Sequence, residues 1–343
     1  METARERIRY YDLLRVVCFA LIIYYHMMME LFSCGIYPIE ALSPFFENPN
    51  MHIATLAVAV FFMLSGASLT IGNETDFNTV TYYRKRFIRL LIPFWIVNCF
   101  YFLYNIFVLG SRWFRQYAPW RIVYTILGVD GWVGMHGFDN FSLGVGEWFL
   151  GALVILSVLY PLLRYLMNRF PKGFFFFCLL VYLVVAYNYK WETPSHYSLP
   201  LKGFEFVLGM YLGKYYKEFP KKALFVSLPV VFLFLVNRST VIPVNVSVKI
   251  TVFALAFFVS FSYLEPYLRK RKLKWINVLS KYSYELFLVH HIVIYRLTPR
   301  AAAYLNSVPP VILLFIVELM VMALLTFLLK FLSDKVIGLL IKV

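Results

Sequence analysis

Arg9 to Glu30 reads RYYDLLRVVCFALIIYYHMMME, a run apolar and long enough to cross a bilayer that still carries Asp12, Arg15, His26 and Glu30. An ionisable side chain inside a membrane span costs a few kcal/mol or more, so such residues face a bundle interior or a water-filled cavity and serve a function by default. Their phases agree. Arg15 and His26 are eleven positions apart, which at about 100° per residue leaves them about 20° apart on one helix face. Asp12 and Glu30 fall within about 60° of the same line, and Arg15 and His26 are separated by about 16 Å along the axis. One face of one helix therefore carries a polar track through half a membrane.

The rest of the chain fits that reading. It has 343 residues, 61% of them hydrophobic, 20% aromatic and only 15% charged. A soluble protein of this size could not bury that much apolar surface, so the solvent is lipid. The formal charge of +15 reflects the excess of Lys and Arg on the cytoplasmic side of membrane proteins, and no module for reading nucleic acid is present. Cys18, Cys34, Cys99 and Cys178 are scattered without metal-ligand or disulfide spacing and read as packing residues. The first apolar run has no small-residue cleavage site behind it, so it is a retained span.

Apolar runs recur with polar punctuation at 10–31, 53–72, 87–109, 145–166, 173–190, 198–215, 223–237, 247–264, 282–297 and 309–332. This predicts an all-α fold: a polytopic membrane bundle of about ten transmembrane helices, one domain over 1–343. About two thirds of the 33 Lys and Arg residues fall on one side when the N-terminus is cytoplasmic, which places both termini in the cytoplasm. The 32–52 loop, with no Lys or Arg, is then external. So is 110–144, where Trp113, Trp120 and Trp132 suit the membrane interface.

Each polar residue admits a chemical and a structural role. His26, with an unperturbed pKa of about 6.5, can take and return a proton as a general base, or it hydrogen-bonds between helices. Arg15 keeps its charge and suits an anion or a carbonyl oxygen; otherwise it snorkels, or pairs with Asp12. Arg84, Lys85, Arg86 and Arg89 lie at a cytoplasmic helix start and match phosphate oxygens, although such clusters also arise from topology alone. Ser65 and Gly66, in Phe61-Phe62-Met63-Leu64-Ser65-Gly66, suit close helix packing. Glu147 opens a span from outside, where the helix dipole satisfies it, or where it binds sugar hydroxyls or orients His26. Ser283 and His290 share a face of Ser283-Tyr284-Glu285-Leu286-Phe287-Leu288-Val289-His290-His291, with no zinc spacing and no Ser-His-Asp order. Glu205, His290 and His291 have no assignable role from sequence.

The ordered set of pieces resembles the membrane-bound acyltransferase-3 family, bacterial proteins that O-acylate cell-surface glycans. The resemblance runs from Asp12-Leu13-Leu14-Arg15 and the Arg15/His26 pair through Phe61 to Gly66. It continues in Arg86-Phe87-Ile88-Arg89 leading into Leu90-Leu91-Ile92-Pro93, and in Glu147-Trp148-Phe149-Leu150. It ends in Phe206-Val207-Leu208-Gly209-Met210 and Ser283 to His290. It implies transfer of an acyl group, commonly acetyl from acetyl-CoA, to a hydroxyl of a lipid-linked or surface glycan, at the bacterial inner membrane and without a metal. In those terms Arg15 and His26 are the essential pair, and Arg84, Arg86, Arg89 and Arg15 bind the donor. Glu147, Glu30 and Trp148 are expected at the acceptor. The chain resembles the stand-alone members that lack an extracytoplasmic hydrolase-like domain. The competing expectation is a proton-coupled transporter or flippase with Asp12, His26 and Glu30 as a proton relay, followed by a non-catalytic scaffold.

Overall fold

A computed structural model of the chain describes residues 7–36, 50, 52–74, 77–110, 118–138, 145, 147–190, 193–216, 218–237, 240–271 and 273–341. All regular structure among them is helical: α1 (Arg9–Ser33), α2 (Ile53–Gly72), α3 (Thr79–Leu109), the short α4 (Ile122–Leu127) and α5 (Asp130–Met135), and α6 (Glu147–Arg169). There follow α7 (Pro171–Asn188), α8 (Leu199–Tyr215), α9 (Lys221–Val236), α10 (Val246–Ser262), the short α11 (Glu265–Arg271), α12 (Lys274–Ala301) and α13 (Val308–Ile341). Each of the ten apolar runs of the sequence is helical over most of its length.

Six helical stretches are by themselves long and apolar enough to cross a membrane: Arg9–Ser33, Ile53–Gly72, Thr79–Val108, Trp148–Arg169, Pro171–Asn188 and Val308–Leu340. A seventh arises if α10 and α11, which meet at a 46° bend, count as one broken span. The helices α8, α9 and α10 have 17, 16 and 17 residues, a little under the ~20 that spans the hydrocarbon core. The molecule is a multi-pass helical membrane protein. Of the apolar stretch in α2, 78% is buried against 17% in α7, so α2 is an interior helix and α7 turns most of its surface to lipid. The external loop expected around Trp113, and most of the 32–52 loop, lie outside the described residues.

Contacts group the chain into two compact units, Met1–Tyr25, Ser43–Gly72 and Glu205–Ser283 on one hand, and His26–Leu42, Asn73–Phe204 and Tyr284–Val343 on the other. In the first, α2 and the later turns of α8 touch backbone to backbone. A Cβ on Gly66 would strike the Phe206 carbonyl oxygen, one on Gly209 the Met63 backbone, and one on Gly213 would come within 2.7 Å of the Ala67 carbonyl oxygen. Small residues permit this approach, which packs helices in lipid where no hydrophobic force drives them together. The close packing expected of Ser65-Gly66 is thus made by Gly66. α2 also meets α10, which stacks Phe253 on Phe234 of α9 at 4.7 Å. The start of α1 is held from α11. The Glu265 carboxylate accepts from the Arg9 and Tyr10 amides at 3.2 and 2.8 Å, supplying the acceptor that a helix N-terminus lacks.

In the second unit, proline shapes the packing. Pro161 lies inside α6 and has no N–H for the Ser157 carbonyl one turn earlier. The Tyr82 hydroxyl of α3 donates to that carbonyl at 2.8 Å, and the adjacent Tyr83 hydroxyl donates to the Val158 carbonyl at 2.7 Å. A gap in one helix is thereby filled from another, the condition under which proline is tolerated in lipid. Further along α3, the Leu90 carbonyl accepts from the Tyr284 hydroxyl of α12 at 2.5 Å. These bonds fix the face of α3 that carries Arg86.

Candidate active site

The first unit holds Arg15 in a network centred on Asp12. The Asp12 side chain is 3% exposed and takes Arg7 Nε at 2.5 Å and Arg15 Nη1 at 3.1 Å. It also accepts from the Ser280 hydroxyl of α12 at 2.7 Å. Arg15 Nη2 donates to the Ser68 hydroxyl of α2 at 2.9 Å. The pairing of Arg15 with Asp12 is therefore real, but one carboxylate shared by two guanidinium groups leaves a net positive charge. With 29% of its side chain exposed, Arg15 is held in place and still able to meet an anion. Ser68 and Ser280, which aim this arginine, come from other helices and had no signal in the sequence around Arg15.

The second unit holds His26. Its ring meets His291 edge-on at 4.0 Å and lies 5.3 Å from His290. The rings of His290 and His291 are themselves 4.5 Å apart. His290 and His291, without a role assignable from sequence, thus lie beside His26. Glu30, one turn further along α1, is half-buried. Ser283, expected on the His290 face, donates its hydroxyl to the Ser280 carbonyl of its own helix at 2.9 Å.

The basic stretch at the start of α3 separates into three environments. Arg84 is exposed and donates to the Leu340 carbonyl at 3.0 Å, at the C-terminal end of α13, where a cation meets the helix dipole. Arg89 is exposed. Arg86 turns inward: Nε donates to the Ser157 hydroxyl at 3.1 Å, while Nη2 is shut off from solvent and has no hydrogen-bond partner among the described residues. Burying a guanidinium N–H unsatisfied costs about 1–3 kcal/mol or more. Arg86 is therefore the member of the cluster with a donor held in reserve. Ser157 and Tyr82, which position it, had no sequence signal.

The residues expected at the acceptor lie apart in character. Glu147 opens α6, and its side chain lies outside the described residues. Trp148 is buried, edge-on to Tyr197 at 4.9 Å and to His196 at 6.3 Å. Glu205 is buried and accepts from the Thr251 hydroxyl at 3.1 Å. A buried acid that sequence reasoning passed over is Glu318, about a third of the way along α13. Its Oε1 accepts from the Thr298 hydroxyl at 2.7 Å, and its Oε2 is enclosed without a partner among the described residues.

A family model described as an acyltransferase domain matches residues 8–333. No curated protein and no solved structure matches the chain. The match covers the Arg15 network, the inward-turned Arg86 and the His26 cluster in one run, and all of them sit on helices of a multi-pass membrane protein. On that match the chain belongs to the acyltransferase-3 family of membrane acyltransferases.

Proposed function

We propose that this acyltransferase works in the bacterial inner membrane and moves an acyl group, acetyl by preference, from cytoplasmic acyl-CoA to a hydroxyl of a lipid-linked or surface glycan. The observation that carries the reading is α1: one continuous helix from Arg9 to Ser33 bears both a held cation, Arg15, and an imidazole, His26, about 16 Å further along. The reaction needs a cation for a phosphate oxygen of the donor and a base for the acceptor, and this helix presents both.

The roles follow from chemistry. His26 takes the proton of the acceptor hydroxyl, whose oxygen attacks the thioester carbonyl. Arg15, about 16 Å from His26 along the helix, is too far away to meet the oxyanion formed there and instead holds a phosphate oxygen of the donor. Collapse of the tetrahedral intermediate breaks the carbon–sulfur bond, and the departing thiolate takes up the proton. Arg86 and Arg89 suit the phosphates of coenzyme A, since a guanidinium fork matches phosphate oxygens in pairs. Arg84, engaged with the end of α13, contributes charge near them. Glu147, Glu30 and Trp148 are assigned to the acceptor.

The deciding comparison is wild type against His26→Ala, both purified in detergent and matched by thermal melt. Equilibrium binding of acetyl-CoA and transfer of label from acetyl-CoA into membrane glycan extracts are measured. The variant is expected to bind the donor within about threefold of wild type and to lose at least a hundredfold in transfer, the scale of a general base. If wild type neither binds nor consumes acyl-CoA, the donor assignment fails, and proton-coupled transport through Asp12, His26 and Glu30 is tested next.

A further inference from the structure

Three of the six histidines of the chain converge. His26 comes from α1, His290 and His291 from α12, and a ring nitrogen from each lies within 4.8 Å of the other two. His290 and His291 are buried and His26 is half-buried. The tautomer of His290 is set by its neighbour. Its Nδ1 lies 2.6 Å from the Phe287 carbonyl, which can only accept, so Nδ1 carries the hydrogen and the lone pair of the neutral ring is on Nε2. A backbone carbonyl holding one nitrogen so that the other presents its lone pair is the usual support of a metal-ligating histidine.

The donor set selects the ion. Three imidazole nitrogens without thiolate or carboxylate suit Zn2+, Ni2+ or Cu2+ and offer nothing to Mg2+ or Ca2+, which take oxygen. Three protein ligands also leave a fourth position open to water. Nitrogens bound tetrahedrally to zinc at 2.0–2.1 Å sit about 3.4 Å apart, so closing the site needs a contraction of at most about 1.4 Å, within reach of side-chain rotation.

We infer that His26, His290 and His291 bind one divalent cation of the Zn2+ class, and that the cation inhibits transfer by occupying the lone pair with which His26 accepts a proton. The inhibition rests on the role proposed for His26; the binding does not. The test uses the full chain in detergent, stripped of metal with a chelator. Co2+ is titrated while its visible ligand-field bands are followed, and Zn2+ is titrated in competition with a chromophoric chelator. Wild type is compared with His290→Gln, His291→Gln and, as a histidine outside the cluster at the end of α5, His136→Ala, all matched by thermal melt. Wild type is expected to take up one equivalent with the intense bands of tetrahedral Co2+. His290→Gln and His291→Gln should each weaken binding at least tenfold, and His136→Ala should not change it. Absence of these bands in wild type, or wild-type affinity in both glutamine variants, overturns the site. Should one glutamine variant fail to fold, the other carries the comparison. Stoichiometric Zn2+ should abolish label transfer reversibly. If the cation binds as described but transfer continues, the inhibition and the assignment of His26 as base fall together while the site stands.

Discussion

At the scale of single residues, Asp12 gathers the polar groups around Arg15, a carboxylate with two arginines and a serine hydroxyl on it. Replacing it by alanine leaves Arg15 and Ser280 without that acceptor. Hydrogen bonds to a buried charge contribute about 1.5–3 kcal/mol, but Arg7 and Arg15 are 49% and 29% exposed and regain water. We expect Asp12→Ala to destabilise by about 2–3 kcal/mol. Asp12→Asn, which retains an acceptor oxygen, should lose about half of that. Thermal melts in detergent give the ranking, and two variants melting with wild type would show that the network contributes no stability. How far the site was legible differs residue by residue. Arg15 and His26 are conspicuous because charge in an apolar run is costly, and Arg86 because it belongs to a basic cluster at a helix start. Ser68, Ser157, Tyr82 and Ser280 are not, because serine and tyrosine are unremarkable in membrane helices and their partners are distant in sequence. Trp148 is conspicuous as an aromatic at a helix start, but its edge-on contact with Tyr197, far along the chain, is not.

At the scale of elements, helix against helix, glycine sets the closest contact. Where α2 and α8 meet, a Cβ on Gly209 would lie within 2.6 Å of the Met63 backbone, and backbone, unlike a side chain, has no rotamer into which it can retreat. Gly209→Ala should therefore lower expression of folded protein severalfold and the melting temperature by more than 5 °C. Gly173→Ala, on α7 with nothing near its Cβ, should be neutral or stabilise by up to about 1 kcal/mol. Size-exclusion profiles and melts of the two variants side by side check this, and equal behaviour would place the α2–α8 contact elsewhere. The prolines carry the same lesson in reverse. Pro161 is readable in the sequence as a break in hydrogen bonding, but the tyrosines that repair it belong to another helix.

At the scale of the whole molecule, the ten helical runs differ in how well each is suited to cross the membrane. Six qualify by length and composition alone, while α8, α9 and α10 are short and α12 is charged toward its ends. The two arrangements differ in one readable way. With ten spans and a cytoplasmic N-terminus, Arg269, Lys270 and Arg271 at the end of α11 lie in the cytoplasm, as the positive-inside rule favours. With only the six, they lie outside. Alkaline phosphatase fused after Arg271 is expected to be inactive, green fluorescent protein at the same site fluorescent, and both C-terminal fusions to agree with them. An active phosphatase after Arg271 would reduce the bundle to fewer spans. The sequence by itself determined that the chain lives in lipid, that it is helical, and that it belongs to the acyltransferase-3 family. Hydrophobic runs and in-span charges are local signals, strong because the bilayer penalises every unsatisfied backbone or charged group. Only the tertiary structure decided that Asp12 is shared by two arginines, that Arg86 turns inward while Arg84 does not, and that three histidines from two helices come together. Each of these depends on which face of one helix meets which face of another, and packing in lipid is set by small residues and by the completion of hydrogen bonds between segments far apart in the chain.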